Sequence, residues 1–157
     1  MEGCSLINED YGDSFKKHLL EQYKLFVDSS LDVTSKRLES NKFHLTLNSV
    51  VFGFSSYMTT LDQLSIIILF SSIGILISAV WYKNVLAYRE LNRAKFIVIH
   101  ELEDHLPSRL FKCEEECYLG RYHELTSLEK YYPIIFIILY VALILFIIGR
   151  ACVRVDP

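Results

Sequence analysis

Cys113, Cys117 and His123, in the run CEEECYLGRYH, are the residues of this chain best placed to hold a metal, because two thiolates and an imidazole supply three of the four ligands that zinc takes. The C-x3-C spacing with a single nearby histidine leaves the fourth position without a partner, so no metal site and no cofactor are expected. His100, Glu101, Glu103, Asp104 and His105 crowd more titratable groups together. HELEDH is not the H-E-x-x-H spacing of zinc proteases, however, and on a charged helix such a cluster reads as a wet surface. Neither a glycine-rich phosphate loop nor a nucleophile elbow is present. The cations are interleaved with acids and gather beside apolar segments, which excludes nucleic acid as a partner. The chain reads as a non-enzyme.

A second set of polar residues has a different meaning. Thr46, Ser49, Gly53, Ser56 and Thr60 recur every three or four positions, as do Ser71, Gly74 and Ser78, so each set lies on one helix face. In lipid there is no hydrophobic force between helices; small faces let backbones approach and hydroxyls bond across the contact. Two readings stay open: packing within a hairpin or between subunits, or lining of a polar lumen once several copies assemble.

These faces sit on segments that fit a bilayer. Phe43–Leu61, Gln63–Tyr82 and Tyr131–Gly149 carry no charge, and each is bounded at one end by lysine beside aromatic rings: Lys42 with Phe43, Trp81 and Tyr82 with Lys83, Lys130 with Tyr131 and Tyr132. About 20 apolar residues cross a hydrocarbon core of roughly 30 Å, and such residues anchor at the headgroups. The second segment should insert alone, and the third is nearly as apolar and only slightly short. The first is weaker, with His44, Asn48 and several hydroxyls, and needs a partner, which a hairpin through Asp62 and Gln63 provides. No charge lies inside any span, which argues against a proton relay.

Basic residues set the orientation. Met1–Lys42 and Lys83–Lys130 hold six and eight of the 16 Lys and Arg, against none in the turn and two in the tail. The positive-inside rule then favours three crossings, with the N-terminus in the cytoplasm and the C-terminus outside. The net charge of −3 does not enter that argument. The start of the chain is acidic and polar, and no cleavable signal peptide is expected. Cys4, Cys113 and Cys117 fall on the reducing side and Cys152 apart from them, so no disulfide framework is expected.

The expected organisation is therefore an N-terminal arm at 1–13, a cytoplasmic amphipathic helix at 14–42, a transmembrane hairpin at 43–82, a cytoplasmic helix and connector at 83–130, a third span at 131–149 and an extracytoplasmic tail at 150–157. The fold class is all-α. Leu20, Tyr23, Val27, Leu31, Thr34 and Leu38 make an apolar stripe on the first helix, widened by Phe15, Leu19 and Phe26, that must pack on something. Ala87, Leu91, Ala94, Val98 and Leu102 make a second seam over Asn84–Leu106, which Pro107 ends. Thr126–Ser127–Leu128–Glu129 fits a capping box leading into the last span, where Pro133 marks a start or a kink.

Three stretches carry a resemblance: LEQYKLFVDSSLDVTSKRLESNKFHLTLNS at Leu20–Ser49, WYKNVLAYRELNRAKFIVIHELEDHLP at Trp81–Pro107 and LTSLEKYYPIIFIILY at Leu125–Tyr140. Together they resemble the RipA-type family of small octameric bacterial inner-membrane proteins, over about Ser14 to Gly149. The resemblance implies a homo-oligomer, an octamer in the bacterial cytoplasmic membrane, with lipids as its other partners, a role in adaptation and no catalytic residues. The layout of the hairpin is also similar, more loosely, to SLATT-type membrane effectors. Two functions follow as expectations: a non-enzymatic ring that organises the membrane or a partner, and a channel or depolarising defence effector.

Overall fold

The computed structural model describes residues 12, 14–117 and 128–155. Helix α1 runs over Phe15–Met58, α2 over Leu64–Glu103, α3 over Leu110–Cys117 and α4 over Tyr131–Val155, and no strand occurs among the described residues. Cys4, His123, Thr126 and Ser127 lie outside them, so the N-terminal arm, the third metal ligand and the start of the capping box are not described.

The first two helices are longer than the segments read from sequence. No break falls at Lys42–Phe43 or at Lys83–Asn84: the arm and the first apolar segment are one helix of 44 residues, and the second segment and the following rod are one helix of 40. At 1.5 Å per residue these are about 66 and 60 Å long, twice the thickness of a hydrocarbon core. The chain gives no reason to stop, since charge and aromatic rings at these points do not disturb the backbone hydrogen bonds. The rod ends at Glu103, three residues before the expected Leu106, in a turn ahead of Pro107.

The hairpin turn has a local cause. Thr59 and Thr60 turn their hydroxyls onto the carbonyls of Ser56 and Tyr57 at 2.6 and 2.7 Å, satisfying acceptors that the ending helix leaves open. A 3-10 turn over Thr59–Leu61 follows, and Asp62 takes the left-handed conformation at φ 53°. Aspartate tolerates that region better than most residues with a Cβ. Pro133 lies in the first turn of α4, where no intrahelical bond is lost, and is fully buried.

α2 is the central element, with α1 along one side and α4 along another. Tyr23 meets Glu103, Ser30 meets Asn92, Asn41 meets Trp81, Asn48 meets Ser78 and Phe54 meets Phe70, so each step along α1 pairs with a similar step back along α2. The pair is antiparallel over its whole length. α4 is antiparallel to α2 as well: Tyr132 stacks on Trp81, Tyr140 lies over Gly74, and Arg150 reaches Asp62 at 3.6 Å.

Candidate functional site

The buried residues of α2 are Ile67, Ser71, Gly74, Ser78, Trp81, Val85, Ile99, Leu102 and Glu103. From Ile67 to Val85 they alternate steps of four and three, the spacing that keeps one seam of a helix on its neighbour. On α1 the buried set is Leu19, Ser30, His44, Asn48 and Ser55. Sequence reading placed Ser71, Gly74 and Ser78 on a packing face and singled out His44 and Asn48 as polar residues in need of a partner, but it did not place His44, Asn48 and Ser55 on the seam. Their signal was present: they lie on one face, and polar side chains in an otherwise uncharged stretch need partners.

The geometry of this seam explains the selection. Asn48 is fully buried: its amide donates to the His44 carbonyl at 3.0 Å, its Oδ1 accepts from the Ser78 hydroxyl at 2.8 Å, and its own carbonyl accepts from the Tyr140 hydroxyl at 3.0 Å. Three helices therefore meet on one residue. Gly74 makes room for this, because a Cβ there would fall inside the Tyr140 ring. Ser55 turns its hydroxyl onto its own helix, at the Val51 carbonyl.

Two turns closer to the marked ends lies a second cluster. The Trp81 indole N–H donates to Asn41 Oδ1 at 2.9 Å, and the Asn41 amide donates to Glu129 at 3.3 Å. Glu129 also faces Arg37 at 3.6 Å, both half-hidden. The Trp81 ring is stacked between His44 and Tyr132 and leans on Phe136. Trp81 is thus a core residue, 1% exposed. Its ring fills the gap where three helices converge, and its N–H finds a partner there. Lys42, Lys83, Tyr131 and Tyr132 are exposed and Tyr82 and Lys130 half-buried around this level, with the Lys130 ammonium over the Tyr131 ring.

The expected stripes do not form the intramolecular seam. Thr46, Ser49, Gly53 and Thr60 are exposed and Ser56 half-buried, turned away from the hairpin contact; nothing approaches the position of a Cβ on Gly53. In the rod, Leu20, Leu31 and Leu38 are exposed and Val27 half-buried, while Tyr23 faces α2. On α2, Leu91 and Ala94 are exposed, Val98 is half-buried and Leu102 is buried. The contact uses the widened edge of the α1 stripe, Leu19 and Phe26, with Ser30, against Asn92, Lys95 and Ile99, rotated by about one residue from its most aliphatic line. A helix with two apolar faces offers either one, and hydrogen-bond partners chose between them.

The far end of the pair is organised by Glu103, fully buried. Its carboxylate accepts from the Tyr23 hydroxyl at 2.9 Å and from the backbone N–H groups of Phe111 and Lys112 at 3.0 and 3.1 Å, capping α3. Burial, together with that carboxylate, pushes the Tyr23 phenol up to about 12. Lys112 and Arg109 pair with Asp104, and the bond from Lys112 holds the Asp104 carboxyl below its ordinary range. His100 faces Glu115 at 3.4 Å, and His105 and Glu101 are exposed. The HELEDH run is therefore split: Glu103 works inside, and its neighbours lie at the surface.

Two described helices are long and apolar enough to cross a membrane, α2 and residues Tyr131–Val153 of α4; α1 is not among them. No curated protein and no solved structure matches the chain. One family model does, over residues 20–149, more than four-fifths of the chain, and its description is octameric membrane protein family (8xMP).

Proposed function

The chain belongs to the octameric membrane protein family, and from that membership we propose that it works as a non-enzymatic ring of eight copies in a bacterial inner membrane, organising the membrane or a partner in stress or host adaptation. Each copy crosses three times, N-terminus in the cytoplasm. The first crossing is made by the part of α1 that pairs with α2 and α4, which is why it need not be strongly apolar: its polar groups are bonded inside the unit.

The observation that carries the reading is the second face of α1. Leu31 is 63% exposed, Leu20 and Leu38 are exposed with it, and the same helix presents Thr46, Ser49 and Gly53 outward at the level of the spans. A face that is aliphatic where water surrounds it and small where lipid does is the composition a neighbouring copy requires in each solvent. Leu91, Ala94 and Val98 of α2 are the second contribution to that seam. Weighing the detergent-solubilised complex tests the ring, and Val27→Glu with Leu31→Glu should dissociate it without harming insertion. An undiminished complex in that variant would count against the arm as the subunit seam.

A channel is the second reading, favoured by the same outward hydroxyls of Ser49, Ser56 and Thr60, which could line a lumen. Leucine at Ser49, Gly53 and Ser56 abolishes conductance in reconstituted bilayers if that face is a lumen. It lowers assembly if the face is packing.

A further inference from the structure

α3 presents two faces with different duties. Phe111 packs edge-on against Phe96, and Glu115 reaches His100, so positions 111 and 115 hold the helix to α2. Cys113 and Cys117 are exposed, one turn apart on another face. The i, i+4 spacing places the two thiols on successive turns of one helix, as neighbours on its surface. Lys112, the cation of this helix, is committed to Asp104, and the charged groups beside the thiols are Glu114 and Glu116. Two soft donors thus stand side by side, open to solution, in an acidic surrounding that attracts cations and repels anions.

The ligand follows from the count and softness of these donors. Among the described residues no group of three His, Cys, Asp or Glu could share a metal, which fails the four ligands of a structural zinc site. A closed-shell soft monovalent cation is satisfied by two thiolates in a line, and thiolates select Cu(I) over harder ions. We propose that Cys113 and Cys117 form a two-thiolate site for Cu(I) on the free face of α3. Binding exchanges two thiol protons for one copper ion and leaves a complex of net charge −1, with no change of oxidation state. Because binding releases the thiol protons, copper binding tightens as pH rises.

The test uses the reduced full-length protein in detergent, without oxygen, titrated with Cu(I) supplied as its coloured bicinchoninate complex. The wild type should withdraw one copper per chain with release of two protons. Losing an outer partner of a metal ligand already costs 10–100-fold, so losing a ligand in Cys113→Ser or Cys117→Ser should weaken binding by more than about 100-fold. Cys152→Ser should bind as the wild type does. Failure of the wild type to compete with the chelator overturns the proposal, and so does wild-type affinity in either α3 variant. Circular dichroism checks that the variants keep their helix. If one does not, copper uptake by folded Cys152→Ser protein after iodoacetamide treatment decides the matter, and unchanged uptake sinks the idea.

Discussion

On either side of Trp81, α1 and α2 form one continuous pair, but the two halves cohere by different means. Towards the hairpin turn the contact is made by Asn48, Ser55, Ser71, Gly74 and Ser78, with α4 laid across it through Tyr140. Towards the other end it is made by Leu19, Phe26, Val85, Ile99 and Leu102, with Lys95 over the Phe26 ring and a buried carboxylate at the tip. In water, large apolar side chains drive association because they leave solvent. In lipid they gain nothing by leaving, and close approach with hydrogen bonds takes their place. The spacing of the seam persists while its chemistry changes, and no break in either helix separates the two halves.

Four substitutions sharpen or break that contrast. The largest effect should come from Glu103→Ala, which strands the Tyr23 hydroxyl and two α3 amides: at roughly 1–3 kcal/mol for unsatisfied buried donors, a loss of about 3 kcal/mol is expected. Limited proteolysis should then cut near α3 while the Trp81 fluorescence stays unchanged; a shift at Trp81 would mean that the two halves do not separate. Gly74→Val should cost about 2 kcal/mol by overpacking against Tyr140, read as a lower melting temperature in detergent and loss of protection in α4. If it melts like the wild type, Gly74 is not what lets α4 approach. Tyr140→Phe removes one bond to the Asn48 carbonyl and should cost only about 0.6 kcal/mol, the typical worth of an interhelical bond in a membrane. A double-mutant cycle with Asn48→Ala measures it.

The last effect is confined to alkaline solution and to the half of the pair that carries Tyr23 and Glu103. The Tyr23 phenol titrates near 12 in the folded chain against its ordinary 10, so the folded state holds the proton more tightly. Its contribution is complete below about 10 and is lost as pH climbs towards 12. Tyr23→Phe should flatten that decline in a chemical denaturation series. An equally steep fall in the variant would assign the alkaline loss to other groups.

How much of this was legible varies by residue. Ser71, Gly74 and Ser78 announced a close contact because small residues at steps of three and four have little other use in an apolar helix, and they form one. Trp81 beside Tyr82 and Lys83 announced an interface, and Asn41, Trp81 and Glu129 meet at this level. That Trp81 turns inward was not legible. That depends on where α4 lies, and nothing in the local sequence encodes it. Leu20, Leu31 and Leu38 form the most aliphatic line on α1, while Leu19, Tyr23 and Phe26 were legible as part of the same broad stripe; the hairpin takes that edge, together with Ser30, and leaves the leucines outside. Hydrophobic periodicity ranks faces by carbon, and a helix with two such faces gives it two answers.

By itself the sequence determined the class of molecule: uncharged runs of spanning length can only be helical in lipid, since every backbone group must bond within its own segment. It also fixed the turn at Asp62, where two threonines and a residue tolerant of positive φ suffice. Only the tertiary structure decided which face of each helix closes the unit and which is left outside it. That choice rests on Asn48 with Ser78 and Tyr140, on Asn41 with Trp81 and Glu129, and on Glu103 with Tyr23. Each set joins residues at least 30 positions apart, and burial is cheap for them only when all the partners arrive together.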